Sequence, residues 1–87
     1  MNIYLAPSFN RAYKKLIRKK PKLASKIKEK IEIFKGRSLQ ESLMLHKLTG
    51  SKHDTWSFSI EEDLRILFYR TNGDVVFVDI GKHEDVY

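Results

Sequence analysis

The chain has 87 residues, 41% apolar and 32% charged, which describes one small globular domain spanning residues 1–87, with no room for a second core. It has no cysteine, so disulfides, thiolate metal ligands and cysteine nucleophiles are excluded together, which fits a reducing cytoplasmic setting. No apolar run has the length of a signal peptide or a membrane span, so neither secretion nor a membrane partner is expected. The net charge of +6 is unevenly spread. Residues 1–40 hold twelve Lys and Arg against two Glu, and residues 41–87 hold five against nine acids. A polyanion is the natural partner of so cationic a half; the plainer alternative is a solvated helix face that keeps the protein soluble.

In chain order, residues 2–6 are short, apolar and partly alternating, a strand ended by Pro7. Ser8 has the chemistry of an N-cap. Phe9, Ala12, Tyr13, Leu16 and Ile17 then form one helical stripe, with Arg11, Lys14, Lys15, Arg18 and Lys19 on the other face. Lys20-Pro21 breaks this helix, and Pro21 suits the first turn of a second. Leu23, Ile27, Ile31 and Phe34 make its stripe, widened by Ala24 and Ile33, with Gly36 as the stop. Residues 38–45 have room for a short helical turn, and residues 49–51 are a turn signal. Trp56, Phe58 and Ile60 then alternate with Thr55, Ser57 and Ser59. A polar turn at Glu61-Glu62-Asp63 leads to a strand at 64–70, and Asn72-Gly73 predicts a hairpin into a last strand at 75–80.

The expected class is α+β, in the order β-α-α-β-β-β, with an antiparallel sheet and the N-terminal helical hairpin packed on one face. Within 64–69, Leu64, Ile66 and Phe68 suit the covered face, and Arg65, Leu67 and Tyr69 the open one. In so small a domain the uncovered face is where a ligand would sit.

The order and spacing of several segments resemble the RelE/ParE superfamily of toxins of type II toxin–antitoxin systems. The likeness runs through the basic hairpin, Leu45-His46-Lys47-Leu48-Thr49-Gly50, the strand around Trp56, Asp63-Leu64-Arg65-Ile66-Leu67-Phe68-Tyr69 and the closing Gly81-Lys82-His83-Glu84-Asp85-Val86-Tyr87. The ending looks most like the RelE and YafQ branches. The resemblance implies a RelE-like microbial ribonuclease fold and a ribosome-dependent, metal-independent endoribonuclease. It needs no cofactor, acts on messenger RNA in the 70S ribosome and is neutralised by a cognate antitoxin.

Metal-free cleavage needs a base for the 2′-hydroxyl, charge for the phosphorane and an acid for the leaving 5′-oxygen. By resemblance, His83 takes an acid or base role, Arg65 holds the scissile phosphate and Tyr87 stacks on a base or transfers a proton. His46 and Asp63 match functional positions of the YafQ branch. The residues alone leave other roles open. His83 is also a tail histidine, Tyr87 an aromatic tucked onto the sheet, His46 a loop histidine and Asp63 a turn acid. Arg65 has an ion pair with Asp79 or Glu84 as its alternative. Lys47 and Lys52 add positive potential. Lys14, Lys15, Arg18, Lys19, Lys22 and Lys26 suit ribosomal RNA phosphates, contacts that position without reading sequence. The spacing of His46, His53 and His83 fits no short metal motif, so no metal is expected. Relative to the RelE pattern the chain has fewer cations near the site and a histidine for an arginine, which shifts the expected chemistry toward the YafQ style. Two readings share the fold without the chemistry: a ParE-like toxin acting on DNA gyrase, and a non-toxic RNA-binding module.

Overall fold

The computed structural model describes residues 2–36, 46–47 and 55–82. The elements are β1 (Ile3–Leu5), α1 (Pro7–Lys19), α2 (Leu23–Gly36), β2 (His46–Lys47), β3 (Thr55–Glu61), β4 (Leu64–Thr71) and β5 (Asp74–Lys82). They build a five-stranded sheet in the order β1-β5-β4-β3-β2. The expected helical turn at 38–45 and the turn at 49–51 lie outside the described residues.

The strands β3, β4 and β5 are antiparallel neighbours, as the two turn signals require. Asn72 and Gly73 both take positive φ, 46° and 84°, which is how a two-residue turn matches the twist of the strands it joins. The sheet as a whole is mixed, because β1 lies parallel to β5. A parallel neighbour needs a long crossover, and here both helices and three strands separate the pair. The two-residue β2, antiparallel to β3, extends the other edge; the sequence pattern did not mark it as a strand.

Each helix lays its apolar stripe on the same side of the sheet. All five phenylalanines are buried there, none more than 3% exposed. Phe34 of α2 stacks on Phe58 of β3 at 4.6 Å and meets Phe68 of β4 edge-on at 5.0 Å. Phe9 of α1 sits 5.5 Å from Phe77 of β5. Such pairs add to the area they bury because ring edges meet ring faces. Ile33 departs from the expected stripe: it is exposed, while Ile27 and Phe34 are buried and Leu23 and Ile31 pack against the core.

Ser8 is not the N-cap of α1. Ala6 holds that position and Pro7 opens the helix. The Ser8 hydroxyl instead donates to the Val78 carbonyl at 2.6 Å. Val78 is where the β4–β5 register slips: Leu67 faces Asp79 but Phe68 faces Phe77, leaving Val78 without an opposite residue. A bulge of this kind reverses the alternation beyond it. Phe77 and Ile80 are therefore both in the core, while Asp79 and Gly81 stay partly exposed.

Two measurements check this account. Phe34→Ala is expected to lower unfolding free energy by about 3–5 kcal/mol in urea, as for other buried aromatics truncated to alanine. Ser8→Ala is expected to cost about 1 kcal/mol, the typical net worth of one such hydrogen bond, although Ser8 itself is exposed.

Candidate functional site on the open sheet face

The side chains opposite the helices are set by the phase of β4. Leu64, Ile66 and Phe68 are buried in the core, so Arg65, Leu67 and Tyr69 fall on the other face, each partly exposed, as the alternation predicts. Ser57 of β3 pairs with Leu67, and Ser59 pairs with Arg65. On the other side of β4, Gly81 faces Arg65 and Asp79 faces Leu67. The position beside Arg65 on β5 thus carries no side chain.

Arg65 does not lie straight across the strand pair. Its Nε–H donates to the Ser57 hydroxyl oxygen at 3.1 Å, on the diagonal rather than to the facing Ser59. Long side chains span this diagonal separation, and here the arginine leans toward the Leu67 end of its strand. Asp79 turns its carboxylate to its own strand, where it accepts from the Ile80 amide at 2.8 Å. The expected alternative of an Arg65–Asp79 ion pair is not formed, and its other alternative, Glu84, lies outside the described residues.

The strand register brings a second predicted residue to this place. His46 of β2 pairs with Ser57, the residue that holds the arginine. One cross-strand row therefore runs His46, Ser57, Leu67, Asp79 from β2 to β5. The Arg65 guanidinium reaches into that row, although His46 and Arg65 are far apart in the chain. Lys47 pairs with Trp56 in the adjoining row. Trp56 packs against the core, and Arg70 lies over its ring at 4.9 Å. Its indole is thus engaged in packing and a cation–π contact.

Asp63 is placed differently. It lies exposed in the β3–β4 turn and lines a cleft of about 740 Å³, with Glu61 and Glu62 beside it and Lys15, Lys19 and Lys82 among the other lining residues. Arg65 leans away from that turn, so by strand rise the row holding its guanidinium lies roughly 13 Å from Asp63. His83, Tyr87, Lys52, His53 and Glu84 lie outside the described residues.

The predicted phosphate-binding cations of the helices are all exposed: Lys14, Lys15, Arg18, Lys19, Lys22 and Lys26. They do not form one flat patch. Lys15 and Lys19 line the cleft by the β3–β4 turn, whereas Lys14 borders an apolar groove between α1 and α2. The positive surface wraps around the hairpin. Ser57 is the functional candidate that sequence reasoning missed. Alternation put it on the open face, but nothing in the sequence marked a serine there as fully buried or as the holder of Arg65.

A family model for YafQ, bacterial toxins of type II toxin–antitoxin systems, matches residues 1–87. No curated protein matches the chain significantly. Among solved structures, the E. coli DinJ–YafQ complex contains a chain that superposes with a TM-score of 0.80 at 20% identity, covering 99% of this chain and 97% of that one. A metal-bound toxin from Helicobacter pylori gives 0.76 at 19% identity over 100% and 99% of the two chains. A YoeB/ParE toxin from Agrobacterium tumefaciens gives 0.77 at 19%, covering 95% and 99%. These likenesses establish the α+β toxin fold, and the match along the whole sequence establishes membership: the chain belongs to the YafQ family of bacterial type II toxin–antitoxin toxins.

Proposed function

We propose that this toxin is a ribosome-dependent endoribonuclease that cuts messenger RNA through attack of the 2′-hydroxyl on the neighbouring phosphate, without a metal ion. The observation that carries the reading is the guanidinium of Arg65, on the open face and held in the row of His46 by Ser57. A planar guanidinium carries fixed charge and matches the geometry of phosphate oxygens. In this reading Arg65 stabilises the extra charge of the phosphorane. His46 and His83 exchange the two protons, histidine being the side chain that titrates nearest neutral pH. Tyr87 stacks on a base. Asp63, exposed in the β3–β4 turn, orients a histidine or takes a proton.

The bond changes balance without a co-reactant. The 2′-oxygen loses its proton and bonds to phosphorus, the 5′-oxygen leaves and gains a proton, and the product ends in a 2′,3′-cyclic phosphate. The exposed cations of the hairpin hold ribosomal RNA, with Lys47 and Lys52 adding potential nearer the message. A cognate antitoxin neutralises the toxin by covering the helices or the open sheet face; the solved DinJ–YafQ toxin–antitoxin complex supports such a partner.

Primer extension on messenger RNA translated in vitro tests the reading. Cuts in the A-site codon are expected with the parent protein. Arg65→Ala is expected to slow them by about 10²–10³-fold, the usual loss when one charge-stabilising donor is removed. His83→Ala is expected to slow them by about 10²–10⁴-fold, the range for a lost proton-transfer group. Intact messages together with DNA damage signalling would instead place the toxin among gyrase poisons.

The helix cations give a separate expectation. Replacing Lys15, Lys19 and Lys22 by alanine should weaken ribosome binding. The slope of log affinity against log salt should fall by about 2–3, near 0.7–0.9 for each phosphate left without its lysine. An unchanged slope would remove these residues from the interface.

A further inference from the structure

Ser57 is the one fully buried polar residue among the described residues, at 0% exposure, and its hydroxyl accepts from the Nε–H of a partly exposed arginine. We infer that Ser57 is a positioning residue of the open-face site: it sets the plane of the Arg65 guanidinium and so the direction in which its terminal nitrogens present to a phosphate. The inference rests on the reading of Arg65 as the phosphate-holding group and adds the residue through which that group is aimed.

A guanidinium is flat, so holding Nε leaves the fork little freedom except rotation of the stem. Arginine in a strand otherwise has several open rotamers. Facing Gly81, Arg65 has no β5 side chain directly beside it to choose among them. The diagonal bond to Ser57 favours the rotamers that turn the group toward the row of His46. Burial removes competing water from the acceptor, which strengthens a bond to a charged donor. Serine is small enough to lie beneath the arginine stem, and its backbone is fixed on both sides by pairing with His46 and Leu67. A site whose reacting groups must be preoriented loses rate when such a support is removed, even though the support touches no substrate.

The test compares Ser57→Ala and Ser57→Thr in the full-length toxin. The amide spectrum of each variant first confirms the fold. The solvent-exchange rate of the Arg65 Nε–H, followed by nitrogen-detected NMR, then reports the anchoring without reference to activity. It should rise about tenfold or more in Ser57→Ala, as expected for a lost bond to a charged donor, and return toward the parent value in Ser57→Thr. A-site cleavage by Ser57→Ala should fall by about tenfold, in kcat rather than KM, with Ser57→Thr recovering most of it. Parent-like exchange in Ser57→Ala overturns the inference, and so does parent-like cleavage in a variant that has lost the anchoring. If Arg65→Ala itself cleaves like the parent, the reading of Arg65 as the phosphate-holding group fails instead. The exchange rate then still decides whether Ser57 holds the guanidinium.

Discussion

The bulge at Val78 is the constraint on which the two faces of the sheet depend. With strict alternation through β5, Asp79 would share a face with Val75 and Phe77 and would enter an apolar core unpaired, at a high desolvation cost. One unpaired residue reverses the phase, so Ile80 fills the core in its place. The chain supports the irregularity from outside the sheet. The Val78 carbonyl accepts from Ser8 and the Phe77 carbonyl from the Ala6 amide at 2.9 Å. The start of α1 is thereby pinned to the place where the strand changes phase.

That pin links packing to chemistry. A chain of this size can cover one face of its sheet, and the five phenylalanines show where the apolar material has gone. The face opposite the helices therefore collects what the core refuses: Arg65 on β4, the serines of β3, and Asp79 and Gly81 beyond the bulge. The charge follows the same division. The helices turn their apolar stripes inward and their cations outward, so positive potential surrounds the hairpin while the arginine of the open face stands apart from it. In the proposed function, long-range attraction to a polyanion and local contact with one phosphate thus fall to different elements.

Much of this was legible in the sequence for simple reasons. The stripe of Phe9, Ala12, Tyr13, Leu16 and Ile17 has one period, and Asn72-Gly73 has one favoured turn. The phase of β4 followed from Leu64, Ile66 and Phe68 alone, and it put Arg65 on the correct face. Other features depend on long-range contacts that no local period encodes. The residues 75–80 show nothing that marks Val78 as the bulge. Ser8 has the composition of a cap, but Pro7 begins the helix one residue too early for it to serve as one. The pairing of His46 with Ser57 joins β2 to β3 through tertiary register. Ser57 looked like any polar residue in an alternating strand until its burial and its bond to Arg65 were seen together.

The proposed function requires the scissile phosphate to meet the open sheet face. The most direct measurement is a structure of the toxin on a translating ribosome whose A-site codon carries a 2′-O-methyl group, which blocks the attacking oxygen. The phosphate is expected within hydrogen-bond reach of the Arg65 guanidinium, with the cations of α1 and α2 against ribosomal RNA. A messenger strand running along the helical hairpin, with the open face turned away from it, would contradict the account.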